Sequence, residues 1–261
     1  MKKTIGVISV FILLLVGVVA MHIVRLHSIV KGVEVTIDPN GGCLLLSESD
    51  VDSLVRSAVP GLDNLKIGDV DRASVEEAVM ECPYVKNVAV KVSNGGRMIV
   101  AVTQHRPVVR MFFQDNEFYL SHDGGYMPLT RHHYCHILVG SSEYNEPVLH
   151  HPEYISLADT ASHTRALGIE YVWHVARYLD DHPAYGEVFD QINVDAKGDV
   201  VLIPKLGNMS VVLGDTSLLD EKFENLWSFF DQGVKQVGWN AYSSVSVKYK
   251  GQVVCKRRDD K

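Results

Sequence analysis

Between Ile5 and Val24 the chain runs for 20 residues without a charge. At roughly 1.5 Å per residue such a helix is about 30 Å long, the thickness of a bilayer's hydrocarbon core. The run therefore predicts a transmembrane helix over residues 5–24, with a short cytoplasmic tail at 1–4 and a juxtamembrane linker at 25–32. Lys2 and Lys3 precede it, so the charge bias keeps the N-terminus inside and sends the rest of the chain outside, although Arg25 and Lys31 weaken that bias. A cleavable signal peptide is the rival reading, because Val18-Val19-Ala20 has the small-residue spacing of a cleavage site. The apolar run continues through Met21, Ile23 and Val24, longer than the ~7–15 residues of a signal-peptide core, and this favours a retained anchor.

Up to Val33 there are four cations and no acid, so the remaining residues must sum to −11 to give the chain's net charge of −7. An acidic surface repels phosphate backbones, which excludes the usual electrostatic footprint of a nucleic-acid binder. Apolar residues make up 46% of the 261, enough for the part beyond the anchor to bury cores and fold as about two domains. Cys43, Cys82, Cys135 and Cys255 form no C-x-x-C pair. Cys packs well as a small apolar residue, so the expectation is unpaired buried thiols; in an oxidising compartment the four allow three full pairings, among which the sequence does not choose.

The first folded stretch, 33–105, opens with Val33, Val35 and Ile37 alternating with Glu34 and Thr36, a half-buried strand ended by the turn residues Asp38 to Gly42. Ser47 and Asp50 are spaced as a capping box, Leu46 and Val51 as a hydrophobic staple, and Val51, Leu54, Val55, Ala58 and Val59 recur at helical spacing up to Pro60-Gly61. Asp71 is the expected cap of a second helix carrying Val75, Ala78, Val79 and Cys82, which ends before Pro83. Val88, Val90 and Val92 then alternate, Asn94-Gly95-Gly96 turns the chain, and Met98, Val100 and Val102 resume the alternation as a β-hairpin. The order strand, helix, helix, strand, strand describes two helices on one face of a small sheet.

From 106 to 256 the pattern is that of a mainly antiparallel β domain with two helices. Strands are expected at Val108 to Phe113, Phe118 to Leu120, Gln191 to Val194, Val200 to Ile203 and Met209 to Leu213. Helices are expected at His163 to Leu179, with Ala166, Leu167, Ile169, Val172, Trp173, Ala176 and Leu179 on its apolar face, and at Ser217 to Phe230, with Leu219, Phe223, Leu226 and Phe230. A last strand starts near Tyr242, alternates Val245, Val247 and Tyr249, passes Gly251 as a bulge and continues through Val253-Val254-Cys255 before the polar tail 257–261. The fold class is thus α+β.

Cys82-Pro83-Tyr84-Val85-Lys86-Asn87-Val88-Ala89-Val90-Lys91-Val92, followed by Met98 to Arg106-Pro107-Val108-Val109, resembles the FtsQ/DivIB family of bacterial cell-division proteins, at the end of its POTRA domain and the start of its β domain. Leu213-Gly214-Asp215 ahead of Lys222-Phe223 is similar to the same family, whereas Gln104-His105 stands where the family more often has an acid. The resemblance implies a non-enzymatic divisome scaffold in the bacterial inner membrane, with its folded part in the periplasm. It also implies FtsB/FtsL-like membrane-anchored coiled-coil partners, captured by strand addition along Tyr249, Lys250, Gly251, Gln252, Val253, Val254, Cys255 and Lys256. From the residues alone, the basic side chains Lys248, Lys250, Lys256, Arg257 and Arg258 read as shielding of an edge.

Chemistry has little support. His132, His133, Cys135 and His136 have metal-ligand types but no partner pair at zinc-site spacing, and they read as a solvated loop, as does His150-His151. Ser28-Ile29-Val30-Lys31 matches S-x-x-K without its companion motifs, and no G-x-S-x-G, H-E-x-x-H, P-loop or dinucleotide-binding glycine run is present. No cofactor is expected. Two other readings compete: a membrane-tethered cell-wall hydrolase or peptidase with dispersed catalytic groups, and a POTRA-bearing translocation component, for whose barrel the second module is too short and too helical.

Overall fold

The structure is a computed structural model that describes residues 12–22, 27–93, 95–130, 134–144, 157 and 167–258. Residues 12–22 are helical (α1), and Ile12, Leu13, Leu14, Leu15, Val16, Val18, Val19 and Met21 are all exposed on it. Among the described residues no helix is long and apolar enough to cross a membrane; the predicted span 5–24 extends beyond α1 at both ends into residues outside that set. The chain divides into two compact units, Met1–Gln104 and His105–Lys261.

The first unit holds β1 (Val33–Asp38), α2 (Glu48–Ala58), α3 (Arg72–Met80), β2 (Val85–Val92) and β3 (Met98–Gln104). Ser47 caps α2 as the sequence predicts: its hydroxyl accepts from the Asp50 amide at 3.2 Å, and the Asp50 carboxylate accepts from the Ser47 amide at 2.8 Å. Such a cap is worth about 1 kcal/mol. Asp71 caps α3 by accepting from the amides of Ala73 and Ser74. The three strands lie in the order β1-β3-β2, with β1 parallel and β2 antiparallel to β3. Val51, Val55, Val75 and Val79 of the helices close over Val90, Met98, Val100 and Val102, so the period-3.6 and period-2 stripes meet in one core.

The second unit is built on one nine-stranded sheet ordered β12-β11-β10-β9-β8-β7-β4-β5-β6. Its strands are β4 (Pro107–Phe113), β5 (Asn116–Ser121), β6 (Tyr126–Pro128), β7 (Leu138–Ser142), β8 (Phe189–Val194), β9 (Val200–Pro204), β10 (Ser210–Gly214), β11 (Tyr242–Ser246) and β12 (Val254–Arg257). Most neighbours are antiparallel, but β4 with β7, β7 with β8 and β10 with β11 are parallel. Parallel neighbours need long crossovers. Helix α4 (Leu167–Asp181) provides one between β7 and β8, and α6 (Leu219–Phe229) provides another between β10 and β11. Residues 163–166 of the first predicted helix lie outside the described set. The short α5 (Pro183–Gly186), a π-helical turn (Phe230–Val234) and α7 (Lys235–Val237) complete the unit.

Ile169, Val172, Trp173, Ala176 and Leu179 of α4, with Phe223 and Leu226 of α6, pack on Val109, Met111, Ile192, Leu202, Val211 and Val245. Helix α4 lies so close to the sheet that a Cβ at Gly140 of β7 would come within 2.6 Å of both Met111 Sδ and Val172 Cγ1. The buried Trp173 indole donates to the Ser121 carbonyl at 2.9 Å, which satisfies its one polar atom.

Two expectations need correction. The last strand is not one bulged strand: after β11 the chain reverses, and Val254–Arg257 returns antiparallel to it as β12. Gly251, at φ 65°, belongs to the connecting turn, where a left-handed residue costs glycine nothing. Among the cysteines, Cys82 and Cys255 are free thiols, but Cys43 and Cys135 are disulfide-bonded. Both of the bonded residues sit in loops rather than on core-facing stripes, so packing alone does not use them.

Candidate partner-binding edge

Strand β12 is held in place by its hairpin with β11. Ser246 pairs with Val254, Val245 with Cys255 and Ser244 with Lys256; an extra residue on β11, Ser243, bulges before Tyr242 meets Arg257. The Ser243 hydroxyl donates to the Lys256 carbonyl at 3.2 Å, tying the bulge to the terminal strand. On its other side β11 runs parallel to β10, so the hairpin continues the central sheet. β12 stands last in the strand order and bonds to β11 alone. One side of its backbone therefore has no ladder partner among the described residues. That side is a row of amides and carbonyls which another extended chain can complete.

The turn before β12 is anchored at its base. Lys248 Nζ contacts Asp199 Oδ1 at 2.7 Å and Oδ2 at 2.9 Å, joining it to the β8–β9 hairpin. This hydrogen bond is the main reason the Lys248 ammonium holds its proton more firmly than usual. Gly214, at φ 76°, makes room: a Cβ there would lie 2.6 Å from Lys248 Cγ. The next residue, Asp215, accepts from Lys222 Nζ at 2.6 Å and from the Ser217 hydroxyl at 2.7 Å. Those bonds, the Lys222 one foremost, lower the Asp215 carboxyl to about 2 although it is largely exposed; the Lys222 ammonium is the buried partner.

Side chains alternate along the edge. Val254 is 50% exposed and Lys256 is exposed beside Ser246 and Ser244 on one face of the sheet, while Cys255 is half-buried against the core on the other. Burial pushes the Cys255 thiol's pKa upward, so it packs as a neutral group. Of the eight residues expected to bind a partner, Val254, Cys255 and Lys256 lie on the edge strand. Tyr249, Lys250, Gly251, Gln252 and Val253 form its approach, with Tyr249 56% exposed and its carbonyl accepting from the Gln252 amide at 3.1 Å. Arg257 belongs to the strand as well and was missed, because a run of charges reads as a tail.

In the histidine segment, residues 131–133, with His132 and His133, lie outside the described set, and the Cys135 sulfur is disulfide-bonded. His150-His151 also lies outside it. Among the described residues His122, Asp180 and Asp181 bring ligand-type atoms within 4.8 Å of one another. Arg106 already occupies the charge there, 2.8 Å from Asp180 Oδ2 in a close contact without hydrogen-bond alignment, while His122 Nε2 lies 2.9 Å from Asp181 Oδ1. Burial raises the Asp180 carboxyl's pKa, and Arg106 opposes the rise. This cluster ties the start of β4 to the end of α4, a structural use for the charges.

No curated protein matches the chain at a significant level. The family model described as "FtsQ/DivIB, C-terminal related" matches residues 106–256, which is more than half of the 261-residue chain and runs from the foot of β4 through Lys256 of the edge strand. The chain belongs to the FtsQ/DivIB, C-terminal related family, and so among the cell-division proteins.

Proposed function

We propose that this chain is a non-enzymatic divisome scaffold that captures a membrane-anchored coiled-coil partner of the FtsB/FtsL kind by adding a strand of that partner to β12. The observation that carries the reading is the one-sided pairing of β12, whose first three residues close the family-matched region. Residues 5–24 serve as the inner-membrane anchor, with the N-terminus cytoplasmic and the two units in the periplasm. The strand-helix-helix-strand-strand order of the first unit supports its reading as a POTRA module that contacts other division proteins near the bilayer. Anchoring both partners in one membrane raises their effective concentration, so an edge of four residues and its approach are enough to direct assembly.

The test is a proline at Val253 or Val254, which removes a backbone donor from the terminal strand or its approach; Val254 is exposed, whereas Val253 packs partly on the core. The expected result is loss of the coiled-coil partner from pull-downs of the full chain, with an unchanged circular dichroism spectrum. Retention of the partner by both variants would count against strand addition.

A further inference from the structure

The sign of the charge on the edge narrows what it takes. From Lys248 to Arg258 there are five cations and no acid, in a chain whose net charge is −7. Lys248 is neutralised by Asp199, and the Arg258 guanidinium donates to the Asn208 carbonyl. Lys250, Lys256 and Arg257 have no acidic partner among the described residues, and Lys256 and Arg257 stand side by side at the end of β12. The strand thus presents two apolar positions, Val254 and Cys255, followed by two cations that have no acidic partner among the described residues and project to opposite faces of the sheet.

Resting on the strand-addition reading, we infer that the segment β12 captures is acidic, with two adjacent carboxylate side chains opposite Lys256 and Arg257 and two apolar side chains opposite Val254 and Cys255. Residues directly opposite across a ladder lie close enough for their side chains to interact, so unlike charges favour the pair and like charges oppose it. The pattern fixes the register as well as the sign, because a slip by one residue would set a carboxylate against Cys255 or an apolar side chain against Lys256. Edge lysines that only guard against aggregation require charge but no matching sequence. A recognition surface discriminates by sign, and this separates the two.

The experiment uses the full chain in detergent and two labelled, end-capped eight-residue peptides, one with Glu-Glu-Val-Val-Glu-Glu at its centre and one with Lys-Lys-Val-Val-Lys-Lys, so that either strand direction can set the charges opposite Lys256 and Arg257. Anisotropy at about 50 mM salt should give the glutamate peptide about tenfold tighter binding, and the difference should collapse at about 500 mM, where exposed charges are screened. The double charge reversal K256E/R257E should invert the order; both positions are exposed, so the substitution leaves the core alone. Equal binding of the two peptides, abolished in V254P, would overturn the charge inference and leave the open edge standing. Binding of neither peptide, or binding that V254P does not change, would sink the edge reading and this inference with it.

Discussion

At Gly214, Asp215 and Lys248 three neighbouring constraints meet. Gly214 has a left-handed backbone, a side chain there would strike Lys248, and Lys248 lies there to reach Asp199. Asp215 meanwhile holds the buried ammonium of Lys222. Asp215→Asn replaces a charged acceptor with a neutral one while the Lys222 ammonium stays buried. The expected cost is about 2 kcal/mol at neutral pH for a hydrogen bond to a charged group, taken at the low end because the carboxylate is solvent-screened. The pH dependence has a definite sign. The folded carboxyl titrates at about 2, below its usual 3.8, so its contribution is complete above the higher value and is lost as pH falls through the lower. Urea unfolding of the wild-type and Asp215→Asn chains should therefore differ most above pH 5, and the gap should narrow as pH falls toward 2.

Among the elements, central β7 and terminal β12 obey different rules. β7 is paired on both sides and lies under α4, and Gly140 is the residue that lets the helix approach. Gly140→Ala should overpack that contact and lower stability by about 1–3 kcal/mol, read as a reduced melting temperature with an unchanged secondary-structure spectrum. Little in the sequence marks Gly140, since its requirement comes from Met111 and Val172, which are distant along the chain. Capping signals and apolar periods were legible, because they are local: Ser47, Asp71 and the stripes of α3, α4 and α6 fall where the spacing puts them. The parallel pairings of β7 and β11 were not, since strand order depends on how crossovers pack. The end of the sheet was half legible. The apolar and basic residues of the edge stood out, but Gly251 as a bulge and Gly251 as a turn imply the same local freedom. Only the return of Val254 to Ser246 decides between them.

Taken whole, the molecule joins an N-terminal apolar helix to two compact units, and among the described residues the larger sheet ends on one side in the chain's last strand, β12. The opposite edge, β6, is three residues long, and in the small sheet the Val90 amide of edge strand β2 is taken by the Glu76 carboxylate at 2.8 Å. Short edges and capped amides are the usual means of preventing unwanted pairing. β12, four residues long with Lys256 and Arg257 on it, is guarded by length and charge as well, and a partner that matches those charges is the proposed exception. The position of β12 in a chain of the FtsQ/DivIB, C-terminal related family makes septum formation the process in which its loss should be felt. The most direct measurement is complementation: cells depleted of the native protein are supplied with full chains carrying Val254→Pro or Val254→Thr at equal abundance, and septation is scored. The account predicts filaments with the proline variant and normal division with the threonine variant, which keeps the ladder donor. Normal septation with Val254→Pro would contradict it.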